Sequence, residues 1–92
     1  MNEARDTIEI VNNRGLHARA SAKFVSMVAA MPDGITVRVL KDGHEAAGGS
    51  ILGLMMLGAA KGDAIEIEVS GDGCDAALLK LTGLVKDGFG ED

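Results

Sequence analysis

Tryptophan and tyrosine are absent from this 92-residue chain, phenylalanine occurs twice, and cysteine and proline occur once each. So few aromatic rings leave few platforms on which nucleic-acid bases could stack. Basic residues are in the minority: nine Lys and Arg face fourteen Asp and Glu, giving a formal charge of −5. Nonspecific nucleic-acid binding rests on cations that neutralise phosphates, so nucleic acid is not an expected partner. The lone Cys74 cannot close an intramolecular disulfide, and no Cys/His cluster has metal-ligand spacing. A reducing, cytoplasmic setting with no metal and no cofactor is expected. No apolar run reaches the roughly 18 residues of a membrane span. The longest, Ser50 to Ala60, is interrupted by glycines. Met1-Asn2-Glu3-Ala4-Arg5-Asp6 is polar and mixed in charge, unlike a signal peptide.

What the chain does have is a hydrophobic content of 47%. That is enough for the core of one domain over residues 1–92, near the lower size limit without disulfides or metal. Thr7-Ile8-Glu9-Ile10-Val11 alternates like a strand, with Ile8 and Ile10 on one face. After the turn Asn12-Asn13-Arg14-Gly15, a helical stripe of Phe24, Val25, Val28 and Met31 starts from Ala18, and Pro32-Asp33-Gly34 stops it. Ile35 to Lys41 alternates again. Asp42-Gly43 is a two-residue hairpin signal, because both positions tolerate positive φ, and His44 to Ala47 forms the return strand. Ser50 is a good N-cap for a short apolar helix ending near Gly58. Ala64 to Ser70 is the clearest strand, apolar at 65, 67 and 69 and acidic at 66 and 68. A last helix runs from about Asp75 to Lys86, and the acidic, glycine-containing tail from Asp87 to Asp92 is expected to fray.

The order is β-α-β-β-α-β-α. Half-apolar strands imply an antiparallel sheet with one wet face and helices on the other, an open-faced α/β (α+β) sandwich of four strands and three helices. The ordered core is expected over residues 6–86.

Chemistry concentrates in Arg14-Gly15-Leu16-His17-Ala18-Arg19. The preceding strand and following helix put His17 at or just before a helix N-terminus. Backbone N–H groups there lack intrahelical partners, and the dipole presents its positive end, which suits a phosphate. A lone histidine at such a place is most often a cap or a surface residue. Its neighbours shift the balance. Gly15 lets the loop approach closely, Ala18 leaves its N–H uncovered, and Arg19 supplies a fixed charge matched to phosphate oxygens. The helix dipole disfavours imidazolium, so the ring is expected to be neutral and nucleophilic near pH 7. A phosphohistidine site is the leading reading.

Gly15-Leu16-His17-Ala18-Arg19, followed by Gly49-Ser50-Ile51-Leu52-Gly53-Leu54-Met55, resembles HPr, the histidine-containing phosphocarrier of the bacterial phosphotransferase system. The similarity runs from Thr7 to about Lys86, with one departure: the family has proline after the arginine, and this chain has Ala20. Alanine is a good helix former, so the helix start is expected to survive with a looser first turn. The resemblance implies that His17 accepts a phosphoryl group from Enzyme I, charged by phosphoenolpyruvate, and passes it to the A-domain of an Enzyme II. Arg19 and the Ala18 N–H assist. It also implies that Ser50 is a target of HPr kinase/phosphorylase in lineages that have that enzyme. Docking would run through Ile51, Leu52, Met55, Ala20 and Lys23, on a monomer. Leu54 and Leu57 are expected to face inward and Leu52 and Met55 outward.

Two other classes compete. One is a non-catalytic regulatory interaction module of the same fold. The other is a small enzyme with a histidine base, which lacks a partner carboxylate in a recognisable arrangement and a chain long enough for a deep pocket. Cys74 and His44 read as ordinary structural and surface residues.

Overall fold

The computed structural model describes residues 2–91. Along the chain run β1 (Glu3–Glu9), α1 (Ala18–Ala29), β2 (Thr36–Lys41), β3 (His44–Ala47), α2 (Ile51–Met56), β4 (Ala64–Ser70) and α3 (Cys74–Lys86), then a 3-10 turn, Gly88–Gly90. The strands form one sheet in the order β1-β4-β2-β3, and every neighbouring pair is antiparallel. Alternation sets its faces. Ile8, Val37, Val39, Ile65, Ile67 and Val69 are buried on one side, where α3 packs on β1 and β4. Phe24 of α1, Leu54 of α2, and Leu81 and Val85 of α3 complete the core from above. The expected open-faced sandwich is the observed one. Asp42 (φ 51) and Gly43 (φ 82) make the two-residue hairpin, pairing Lys41 with His44.

The polar face is less wet than alternation suggests. Glu68 is buried. Arg5 and Arg38 lie opposite it on the two flanking strands, and both guanidinium groups reach its carboxylate. Cross-strand pairs of opposite charge favour the pairing of their strands. They also explain why the first strand begins at Glu3 rather than Thr7. Glu3-Ala4-Arg5-Asp6 has no apolar alternation, but β4 extends to Ser70 and supplies Glu3 with a partner. At its other end the strand stops at Glu9, opposite Ala64 where β4 starts. Ile10 is still buried, but it bonds to the turn before β4 through Asp63 and Gly62, and Val11 faces solvent.

The tail corrects the sequence reading more sharply. It does not fray. Gly88, Phe89 and Gly90 all have positive φ (63, 58 and 72), and Phe89 is 1% exposed within the core. Left-handed backbone costs a non-glycine residue about 1–2 kcal/mol. Full burial of a large apolar side chain contributes about 1.5–3 kcal/mol, enough to hold it there. The expected ordered core of 6–86 is therefore too short at both ends. Among the described residues no helix is long and apolar enough to cross a membrane, and no group of His, Cys, Asp and Glu could hold a metal ion.

Candidate functional site

The loop from Asn12 to His17 is built around a glycine. Gly15 has φ 62, and a side chain there would run into the Ala59 carbonyl. That close approach lets Leu16 N–H donate to Ala59 O (2.9 Å), fastening the loop to the segment after α2. Leu16 is buried, and its carbonyl accepts from Ser21 Oγ (3.2 Å). Gly15→Ala is expected to destabilise the fold by more than about 1 kcal/mol, since it combines left-handed strain with a backbone clash. Urea unfolding checks this, and an unchanged midpoint would mean the loop is not so constrained.

His17 is the N-cap of α1, as its position implied. Its Nδ1 accepts from the Arg19 N–H (3.3 Å) in place of the usual capping oxygen, and its carbonyl accepts from Ser21 N–H (2.9 Å). An acceptor at Nδ1 places the ring proton on Nε2. Nε2 faces Glu91 Oε2 at 2.7 Å. The ring is thus oriented at both nitrogens, with its Nδ1 lone pair directed at the helix N-terminus. There the Ala18 N–H, at the first helical position, has no intrahelical acceptor.

Glu91 comes from the tail, and Asn12 anchors it. Asn12 is buried, and its Nδ2 donates to Glu91 Oε1 (3.0 Å) and to Gly15 O (2.9 Å). Its Oδ1 has no donor among the described residues, the cost of turning both amide protons to acceptors. Burial pushes the Glu91 carboxyl up. The hydrogen bonds from Asn12 and His17, with the charge that His17 carries when protonated and that of Lys23, more than offset it and leave the carboxyl below its ordinary value. Its contribution to stability is therefore in place at neutral pH and is lost as the pH falls through that lowered value. Lys23 Nζ donates to Phe89 O (2.6 Å), tying α1 to the same tail.

Beside the imidazole lies a shallow cavity of about 360 Å³ lined by Asn13, Arg14, Arg19, Lys23, Gly90 and Glu91. Three cations and one carboxylate border it. The Arg19 side chain is engaged in no hydrogen bond or ion pair among the described residues, so its fork is available to an anion.

The remaining candidates divide. Ser50 caps α2, its Oγ accepting from Gly53 N–H (2.9 Å). Leu54 is buried and Leu57 half-buried. Ile51, Leu52, Met55 and Met56 are 41%, 67%, 40% and 77% exposed, forming one apolar patch on α2, which packs against α1. Met56, the most exposed of these, was not singled out from sequence. Ala20 does not belong to any docking surface: it is 0% exposed, one turn before Phe24 on the buried stripe of α1. Lys23 is exposed, but its ammonium is committed to the tail. Asn12 and Glu91 escaped sequence reasoning altogether. The one available signal was Phe89, an aromatic residue in a tail otherwise of glycine and acid.

Comparison with known proteins agrees with this architecture. Residues 4–87 match the family described as "PTS HPr component phosphorylation site". The phosphocarrier protein HPr of Neisseria meningitidis serogroup B is 45% identical over 87 residues, covering 95% of this chain and 96% of the relative. The phosphocarrier protein NPr of Escherichia coli K12 is 35% identical over 88 residues, covering 96% and 97%. The crystal structure of HPr-C-His from Thermoanaerobacter tengcongensis superposes with a TM-score of 0.89 at 35% identity, covering 97% of this chain and 98% of that one. Likeness over nearly the full length of each protein defines the class, a phosphocarrier of the phosphotransferase system. The chain belongs to the HPr family.

Proposed function

We propose that His17 is the residue that carries the phosphoryl group, taking it from Enzyme I charged by phosphoenolpyruvate and passing it to the A-domain of an Enzyme II. The observation that carries this reading is the imidazole at the N-cap of α1, with its Nδ1 lone pair toward the helix N-terminus and its proton on Nε2. Nδ1 attacks phosphorus and forms the N–P bond. The donor's bond to phosphorus breaks, and its electron pair returns to the donor. The phosphoryl oxygens then meet the Ala18 and Arg19 N–H groups and the Arg19 guanidinium, donors suited to a dianion. Ala18 and Arg19 are exposed, so stabilisation is modest and the group can be handed on. Much of the in-line positioning falls to the partner proteins.

The α2 patch is the proposed docking surface, with adaptable Met55 and Met56 beside Leu52. Where HPr kinase is present, Ser50 is its proposed target, because a phosphate at a helix start is tolerated. Incubation with Enzyme I and phosphoenolpyruvate, followed by intact mass in neutral buffer, tests the reading. An acid-labile, base-stable gain of one phosphate is expected, and no gain contradicts it.

Ser50→Asp is expected to keep or slightly raise the melting temperature, since a carboxylate still caps α2 and suits its dipole. It should also slow phosphorylation by Enzyme I, by setting a charge at the edge of the patch. Ser50→Ala should lose about 0.5–2 kcal/mol of capping energy while phosphorylation proceeds at the parent rate. If Ser50→Asp accepts phosphate as fast as the parent, the patch is not where Enzyme I docks.

A further inference from the structure

We infer that Glu91 is a positioning residue for phosphoryl transfer at His17, holding the ring in the tautomer that presents Nδ1 and balancing the charge the ring acquires. This rests on the reading of His17 as the acceptor. Glu91 stands 74 residues along the chain from His17, yet its Oε2 lies 2.7 Å from Nε2. The contact is built in from several sides. Phe89 is sunk in the core, Lys23 holds the Phe89 carbonyl, and buried Asn12 holds the other carboxylate oxygen. His17 and Glu91 side chains are only 16% and 13% exposed, so their hydrogen bond is partly shielded from water.

The chemistry gives such a carboxylate two tasks. To attack phosphorus, the ring has to be in its neutral form with the proton on Nε2, so that Nδ1 has a lone pair to spend. An acceptor at Nε2 fixes that tautomer, as the carboxylate does for a histidine general base. During acceptance Nδ1 spends its lone pair on phosphorus while Nε2 keeps its proton. The ring therefore becomes a phospho-imidazolium with one positive charge, and Glu91 is its neighbouring counter-charge. In the onward step the N–P bond breaks and its electron pair returns to Nδ1. Because Nε2 is still protonated, the leaving group is a neutral imidazole rather than an anion. No proton has to leave or enter the site in either direction.

The test uses the full chain labelled with ¹⁵N-histidine, compared with Glu91→Ala and Glu91→Gln. Ring nitrogen shifts report the tautomer before any phosphate is added. The parent is expected to show His17 with its proton on Nε2, and Glu91→Ala to show a mixture. Phosphorylation by Enzyme I and onward transfer should each slow about tenfold or more in Glu91→Ala, the scale of a lost charge-assisted hydrogen bond. Glu91→Gln keeps an acceptor without the charge, so it should retain the tautomer yet still slow onward transfer. A merely structural role for the tail would leave the ring shifts unmoved. Parent-like shifts and rates in Glu91→Ala would overturn the inference, and faster acceptance would make Glu91 a shield over His17 instead. If the parent itself gains no phosphate, the acceptor reading fails, and the ring shifts of the unmodified proteins still show whether Glu91 sets the tautomer.

Discussion

His17→Ala is expected to gain no phosphate from Enzyme I and phosphoenolpyruvate under conditions that fully modify the parent. Among the described residues the other histidine, His44, opens the exposed return strand of the hairpin, away from any helix start, and offers no substitute. The loss of function should come with only a modest loss of stability. Because His17 caps α1 and bonds to Glu91, it is less free than a surface histidine, and removing a cap costs about 0.5–2 kcal/mol. His17→Asn separates the two roles. Asparagine is a preferred N-cap, so this variant should melt close to the parent and still accept nothing. Phosphate acceptance by either variant would remove His17 from the centre of the site. A collapse of the thermal midpoint in both would make it a structural residue.

Phe89→Ala should be the most destabilising substitution considered, by about 3–5 kcal/mol, the usual cost of truncating a buried phenylalanine. The expectation is sharp because the tail is short and sits between glycines. Without the ring, nothing offsets the left-handed backbone at residue 89, and the turn should detach. Guanidinium unfolding followed by far-UV circular dichroism reads the effect as a shift in midpoint at similar slope. Detachment should also carry Glu91 off His17, so the variant should behave like Glu91→Ala in its ring shifts. A cost under about 1 kcal/mol would mean that Phe89 contributes little beyond an exposed residue.

These two expectations mark the boundary of what is legible in the chain. Local signals are reliable here because each has a local cause. Alternation at 65, 67 and 69 puts three side chains on one face of β4, Asp42-Gly43 makes a hairpin, and Ser50 caps α2. The placement of His17 at a helix start follows from the strand before it and the stripe after it. Exposure of Leu52 and Met55 follows from α2 having more apolar residues than one buried face can take. What escapes is set by distant partners. Glu3 to Asp6 joins β1 because of β4, some sixty residues away, and Glu68 is buried because of arginines on two other strands. Asn12 looks like a turn residue until the tail, 79 residues on, brings it a carboxylate. Ala20 looks like a surface position next to the motif. Only the packing of α1 shows that it lies on the Phe24 side.

The departure at Ala20 can be understood on the same terms. A proline there would sit in the first turn, where its missing N–H costs nothing. Alanine leaves the turn to be held by other means. His17 at the cap, Ser21 bonding back to Leu16 and Lys23 reaching the tail all do so in this chain. The histidine loop is therefore braced from α1, from the segment after α2 and from the tail together.

The most direct measurement of the central claim is ¹⁵N and ³¹P nuclear magnetic resonance on ¹⁵N-histidine protein during phosphorylation by Enzyme I and phosphoenolpyruvate. The predicted result is a single new species in which phosphorus couples to Nδ1 of His17 while Nε2 keeps its proton. Phosphorus on Nε2, on His44, or on no histidine at all would contradict it.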